Sequence, residues 1–437
     1  MKKSPSLSIY FTNDLHSHIP ESIEIFNKFT VAKKTNNSLV IDIGDFCEGS
    51  AFYNLFKGKP ELKLLNRLYN FIIPGNHGFQ DVVGLYRKGF PVLTSNLLYE
   101  GKQFFEKDIV YDSSDSHIAF IGIMSPEAFI SIEAEKRQGF SVKDPYKVLP
   151  KLISKFKRLN YKIVLLSHSG FAYDVELARN ISGIDVIISS HCHSKYFEKR
   201  VNNTLVIKAF EHGKGHGILE LKNDLFSFKK VSIHKVTPFF LAETLFLKEY
   251  LEKYNRKLKK EFFYLPPGFT KRFKNRRQLT HYFLNPLKEE FKVDLAIINY
   301  HCFRALLPNI GVITMESIYN LCPLENDLYV LEVSRDKLEK KINILPKSLK
   351  MYLCLNKTVK TLPKTVKLVT TTYLANNAFA DFREKGYNTG MNLRSFVVKQ
   401  LMREAKGKND INWIEDKQRS NEEKDHNRPL YSRLSKS

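Results

Sequence analysis

Acidic side chains are scarce in this chain. Across 437 residues, 46 Asp and Glu face 69 Lys and Arg, a formal net charge of +23. Such an excess is usually a solvated surface, and it can also attract anions such as a nucleotide, a polyphosphate or a nucleic-acid backbone. Cysteine is also sparse: Cys47, Cys192, Cys302, Cys322 and Cys354 are odd in number, widely spaced and form no C-x-x-C pair. They read as free thiols of a cytoplasmic protein rather than a disulfide frame or a zinc ribbon. No run of about 18 apolar residues occurs, so a membrane-spanning helix is not expected. The opening MKKSPSLSIYFTNDLHSH has the lysines of a secretory signal, but Ser4, Pro5 and Ser6, then Asn13, Asp14 and His16, interrupt any apolar core. Against these deficits, 43% apolar and 13% aromatic residues suffice for sizeable cores, and the length suggests two domains.

Up to about residue 235, apolar runs alternate with amphipathic stretches. The runs LSIYF (7–11), SLVIDIGD (38–45), HIAFIGIM (117–124), KIVLLSHS (162–169) and DVIISSH (185–191) read as strands covered on both faces. Residues 145–159 carry apolar side chains spaced for one helical face. The expectation is a layered α/β domain over 1–238, followed by a helical, basic linker over 239–267 that ends at Pro266, Pro267 and Gly268. A second α/β domain is expected over 268–405, with strands at DLAIIN (294–299), DLYVLEV (327–333) and KLVTTTYL (367–374). The charged stretch 406–437 reads as disordered. No internal repeat is visible.

The polar residues able to hold a metal follow apolar runs in the first domain. Asp14 and His16 follow LSIYF, Asp45 follows VIDIG, and Asn76 and His77 follow FIIPG. His168 ends IVLLS, and His191 and His193 end DVIISS. Strand ends are where α/β sheets gather sites, because side chains converge there on a rigid support. Two carboxylates, one amide and four imidazoles supply seven groups, and one bridging carboxylate gives an eighth bond. That mixed N/O set suits two divalent ions of the Mn, Zn, Co or Fe kind better than Mg or Ca. Such a pair can activate water and clamp a phosphoryl group. Taken singly, each motif could be a turn or a helix cap; their joint occurrence in order favours the metal reading.

These motifs resemble those of the 5′-nucleotidase family, whose N-terminal domain is a four-layer α/β metallophosphoesterase sandwich. TNDLHSH is similar to its N-D-x-H-x-H, IDIGDFCEGS to G-D-x-x-x-G-S, and IPGNHGF to G-N-H-E-F-D. LLSHSG and SSHCHS are similar to its later histidine motifs. The resemblance implies one metal on Asp14, His16, Asp45 and His193, and a second on Asp45, Asn76, His168 and His191. It implies attack by a metal-bridging hydroxide, with His77 as catalytic stabiliser or acid. Two departures stand beside His77: Gly78 replaces the family's glutamate, and Gln80 replaces the aspartate that orients this histidine.

The likeness continues into a C-terminal α/β nucleotidase-type substrate domain. DLAIINYHCFRALLP is similar to the family's D-x-A-x-x-N-G-G-G-I-R, and the resemblance implies substrate contacts from Arg277, Asn299, Arg304 and Tyr373. Leu324 and Phe379 stand where the family has a base-stacking ring and a ribose-binding aspartate. The implied function is hydrolysis of phosphoesters, most simply nucleoside 5′-monophosphates. The altered pocket keeps two alternatives open: hydrolysis of 2′,3′-cyclic nucleotides or nucleotide pyrophosphates of the UDP-sugar type, and nucleotide or RNA binding with weakened catalysis. Residues 253–277 hold ten Lys or Arg against Glu261 alone, yet no nucleic-acid-binding motif accompanies them. The partners expected are a nucleotide or other small phosphoester, with no membrane; the sequence leaves the oligomeric state open.

Overall fold

The computed structural model describes residues 7–113, 116–233, 239–266, 268–308, 311–345 and 347–405 (for 347–349, the backbone only). The expectation for 406–437 lies outside the described residues. The chain divides into two compact units, Met1–Lys257 and Leu258–Ser437.

Two sheets face each other in the first unit. One is ordered Leu225–Ser232, Gly215–Lys222, Leu7–Thr12, Ser38–Asp42, Phe71–Ile72; the other runs Glu198–Val201, Thr204–Ile207, Val186–Ser189, Lys162–His168, Ser116–Met124, Ile109–Ser113. Strand alternation explains the layering. Leu7, Ile9, Phe11, Ile41, Phe120, Val164, Leu166 and Ile188 fill one core between the sheets. The intervening Ala119, Ile121, Ile163, Leu165 and Ile187 face outward onto Leu149, Leu152, Ile153 and Phe156 of helix Pro145–Arg158. On the outer face of the first sheet, Tyr10 meets Phe29 of helix Ile23–Lys33 with ring centroids 6.1 Å apart. Helices thus cover both outer faces, which is the four-layer α/β arrangement expected.

The inner strands of each sheet run parallel. Leu7–Thr12 pairs with Ser38–Asp42, which pairs with Phe71–Ile72. Ser116–Met124, Lys162–His168, Val186–Ser189 and Thr204–Ile207 do the same in the other sheet. Their carboxyl ends therefore lie along one edge of each sheet. The basic stretch after residue 239 includes helix Leu247–Leu258, which packs on this unit: Tyr250 and Tyr254 meet Phe56 and Phe52 at 4.9 and 5.5 Å.

The second unit has a five-stranded sheet ordered Leu353–Leu355, Leu295–Asn299, Thr365–Thr371, Asp327–Ser334, Gly386–Asn392. Ala296, Ile298, Leu328, Val330 and Val369 face one core, with helices Arg276–Phe291 and Leu393–Glu404; Leu295, Ile297, Leu331 and Leu368 face another. The strand expected to run to residue 374 stops at Thr371, whose Oγ1 accepts the Leu374 N–H and caps helix Thr372–Asn376. A threonine hydroxyl favours that helix start over further extension. Among the described residues, no helix is long and apolar enough to cross a membrane.

Candidate metal centre

Asp14, His16, Asp45, Asn76, His77, His191 and His193 follow the carboxyl ends of parallel strands of the first unit, and His168 is the last residue of such a strand. The backbone bends sharply there. Asp14 and His16 have φ +49°, Asp45 +58° and His191 +76°, left-handed values that non-glycine residues seldom hold. Strain of this kind costs about 1–3 kcal/mol per residue and persists where surrounding structure enforces it. Gly75 supplies the clearance beside Asp45: a Cβ on it would lie 2.1 Å from Asp45 Oδ1.

Each oxygen of Asp45 faces a different histidine. Oδ2 lies 3.6 Å from His16 Nε2, and Oδ1 lies 3.4 Å from His168 Nε2. His16 Nδ1 donates to the Glu48 carbonyl at 3.0 Å, so Nε2 turns a lone pair inward, where His193 Nε2 stands 3.3 Å away. On the other side, His168 Nδ1 donates to the Ile43 carbonyl at 3.0 Å. The Asn76 side-chain oxygen then sits 3.2 Å from His168 Nε2 and 2.9 Å from His191 Nδ1. Asp14 closes the first group; its carboxylate accepts the His191 N–H at 3.0 Å and the Asn13 amide at 2.8 Å.

Electrostatics follow from this crowding. Burial drives His16 well below the ordinary imidazole value and His191 down to about 3, so both rings are neutral with free lone pairs. Burial acts the same way on His168, but the Asp45 carboxylate outweighs it and lifts that ring to about 9. Burial would raise Asp45, yet His168 and His77 hold it well below the carboxylate range. Converging lone pairs of imidazole, carboxylate and amide are what a divalent cation satisfies, so the residues present fit a metal centre. Two sets of possible ligand atoms, His16–Asp45–His77 and Asp45–His168–His191, share Asp45. The geometry thus brings together all seven residues expected as ligands, with His77 beside them.

Several contributors were not legible in the motifs. His212 forms a further possible ligand set with His16 and His193. It follows Thr204–Ile207, another parallel strand of the second sheet, so the strand-end rule could have found it. Lys208 is fully buried and donates to the carbonyls of Cys192 and Ser194 at 3.0 and 2.8 Å, on either side of His193. Asn13 ties the centre to the same region by accepting the Ala209 N–H at 2.9 Å.

The residues expected to contact substrate lie in the second unit. Asn299 ends strand Leu295–Asn299, and Tyr373 follows its parallel neighbour Thr365–Thr371, so both stand at the same strand-end edge. The Asn299 side-chain oxygen accepts the His301 N–H at 2.8 Å. Arg304 is half-buried, with its backbone N–H on the Leu321 carbonyl. Arg277 Nη2 is engaged by the Met351 carbonyl at 2.8 Å, and its guanidinium lies 5.7 Å from the Tyr300 ring. The residues replacing the family's glycines form an aromatic group: Tyr300 stacks on His301 at 4.7 Å, with Tyr352 edge-on to His301 at 4.2 Å. Phe379 is fully buried in the core and Asp381 pairs with Lys341, so neither offers the ribose contact.

Residues 7–195 match the calcineurin-like phosphoesterase family, and residues 270–359 match the 5′-nucleotidase C-terminal domain. The chain belongs to the 5′-nucleotidase family of calcineurin-like phosphoesterases. It is 28% identical over 342 residues to the uncharacterized metallophosphoesterase YunD of Bacillus subtilis, spanning 72% of this chain and 73% of that protein. It is 26% identical over 221 residues to human 5′-nucleotidase, but spans only 38% of that protein's length. The 5′-nucleotidase precursor of Thermus thermophilus shares the fold, with a TM-score of 0.72 over 92% of this chain and 98% of that one, at 21% identity. The chain is thus a phosphoesterase, a hydrolase acting on ester bonds.

Proposed function

We propose that the chain hydrolyses nucleoside 5′-monophosphates or closely related nucleotide phosphomonoesters at a centre of two divalent ions. Asp14, His16, Asp45 and His193 would hold one ion; Asp45, Asn76, His168 and His191 would hold the other. The observation that carries this reading is the placement of Asp45, one oxygen toward His16 and the other toward His168. Bound there, the ions supply Lewis-acid charge to phosphate oxygens and acidify water toward neutrality.

The chain's own residues supply position and charge. Buried strand ends hold the ligands rigidly, which lowers the reorganisation needed as charge builds on the phosphoryl and leaving oxygens. His77, with 15% of its side chain exposed, reaches the solvent side of the cluster and can donate to a phosphoryl or leaving-group oxygen. Support for a nucleotide comes from the C-terminal match and from relatives named 5′-nucleotidase. The stacked Tyr300 and His301 offer a ring face of the kind on which a base can lie.

The test is phosphate release by the purified chain with Mn²⁺ or Zn²⁺ across nucleoside monophosphates, 2′,3′-cyclic nucleotides and UDP-sugars, with coupling enzymes that report diester and pyrophosphate cleavage. The expected result is the highest kcat/KM on a nucleoside monophosphate. Turnover of cyclic nucleotides or UDP-sugars with none of any monophosphate would overturn the proposal.

A further inference from the structure

Glu48, Gly78 and Lys136 form one arrangement around His77. Glu48 has a left-handed backbone, φ +67°. Its two carboxylate oxygens have separate partners. Oε1 takes the Lys136 ammonium at 3.0 Å; Oε2 accepts the Gly78 N–H at 2.8 Å and lies 3.6 Å from His77 Nδ1. Gly78 permits this approach: its φ is +63°, and a Cβ there would fall 2.5 Å from the Cβ of Cys47. A glutamate at position 78 would therefore force the loop carrying Glu48 away. The Gln80 amide nitrogen donates to the Lys136 carbonyl. The backbone N–H of His77 donates to Asp45 Oδ1 at 2.8 Å, and the His77 ring lies edge-on to His16 at 4.9 Å.

We propose that Glu48 is the positioning residue of His77. Its Oε2 anchors the Nδ1 side of the ring, so that the Nε2 edge is presented to the phosphoryl group's leaving oxygen. Lys136 and Gly78 hold the carboxylate that does this. The second nitrogen of a working histidine is generally fixed by such a partner, which sets ring orientation. A donor held in place costs no reorganisation as negative charge develops on the leaving oxygen. The assignment rests on the phosphoesterase reading above, in which His77 meets the substrate. It places the carboxylate behind His77 on the loop after Ser38–Asp42, not on the helix that follows His77.

The experiment is a double-mutant cycle of Glu48→Gln and His77→Ala in the full chain, with bound metal counted in every variant. Two substrates are compared: a nucleoside monophosphate, whose alkoxide leaves poorly, and p-nitrophenyl phosphate, whose phenolate leaves readily. E48Q is expected to keep the metal content and KM of the unaltered enzyme. Its kcat on the nucleotide falls about 10- to 100-fold, with a much smaller fall on the aryl ester. In the H77A background, E48Q has no further effect. Equal losses on both substrates, an undiminished E48Q effect without His77, or loss of metal from E48Q would overturn the assignment. If the unaltered enzyme turns over the nucleotide and E48Q does so equally well, only this inference falls. If the unaltered enzyme turns over neither substrate, the phosphoesterase reading falls, and this inference falls with it.

Discussion

A carboxyl buried with little hydrogen bonding holds on to its proton, and Glu61 is such a group. It is fully buried on helix Lys59–Leu68. Burial outweighs the weak help of its own backbone N–H and the Ser17 hydroxyl and lifts it from 4.5 to about 7. Because the folded pKa is raised, the folded state keeps a proton that the unfolded chain has lost between these two values. Stability from this group therefore falls as pH rises from about 4.5 to about 7 and stays lower above. Glu61→Gln removes the cost, which is about 3 kcal/mol at full ionisation. Denaturant unfolding at pH 5 and pH 8 should show the variant gaining stability over the original chain at pH 8 and much less at pH 5. A gain independent of pH would contradict the assignment. The residues of the candidate centre stood out in the sequence because several aspartate and histidine motifs follow apolar runs one after another, although each alone could be a turn. The role of Glu48 could not, since its ammonium partner Lys136 lies 88 residues away. Nor could the engagement of Arg277, whose partner carbonyl at Met351 is 74 residues distant.

Strands with apolar residues on both faces were legible as elements because both sides must be covered by other layers. The edge strands were not, since alternating or polar sequences such as Leu225–Ser232 satisfy solvent on one side and resemble loops. The loop after Val186–Ser189 shows what elements add to the site. Its histidines are held by Lys208, which comes from the end of the neighbouring strand Thr204–Ile207. Lys208→Met keeps the stem but leaves two carbonyls without their donor, at about 1–3 kcal/mol each. Thermal unfolding should show the lower stability. Metal titration should show affinity about 10- to 100-fold weaker, as for other residues that support ligands. Full metal affinity in a destabilised K208M variant would show that the lysine serves stability alone.

At the scale of the whole molecule, a net charge of +23 sets a field that draws anions toward the chain. The Debye length shrinks from about 10 Å at 0.1 M salt to about 3 Å at 1 M. The kcat/KM for a dianionic nucleoside monophosphate should therefore fall several-fold as salt is raised from about 0.05 M to about 0.5 M, mostly through KM. A flat salt profile would show that the charge lies away from the route to the site. Length suggests two domains, but the two units divide at Lys257 and Leu258 rather than at the Pro266–Gly268 break, and the packing of helix Leu247–Leu258 on Phe52 and Phe56 depends on aromatic contacts across some 200 residues of chain. The account stands or falls on whether the strand ends of the first unit bind two ions through one shared carboxylate. The most direct measurement is the count of Mn²⁺ or Zn²⁺ per chain after loading and exhaustive dialysis, set beside phosphate release, for the original chain and for Asp45→Asn. Two ions and measurable turnover in the original chain are expected, with D45N losing at least one ion and more than about 100-fold in activity, beyond what supporting residues cost. Two ions retained by D45N with unchanged turnover, or none bound by the original chain, would contradict it.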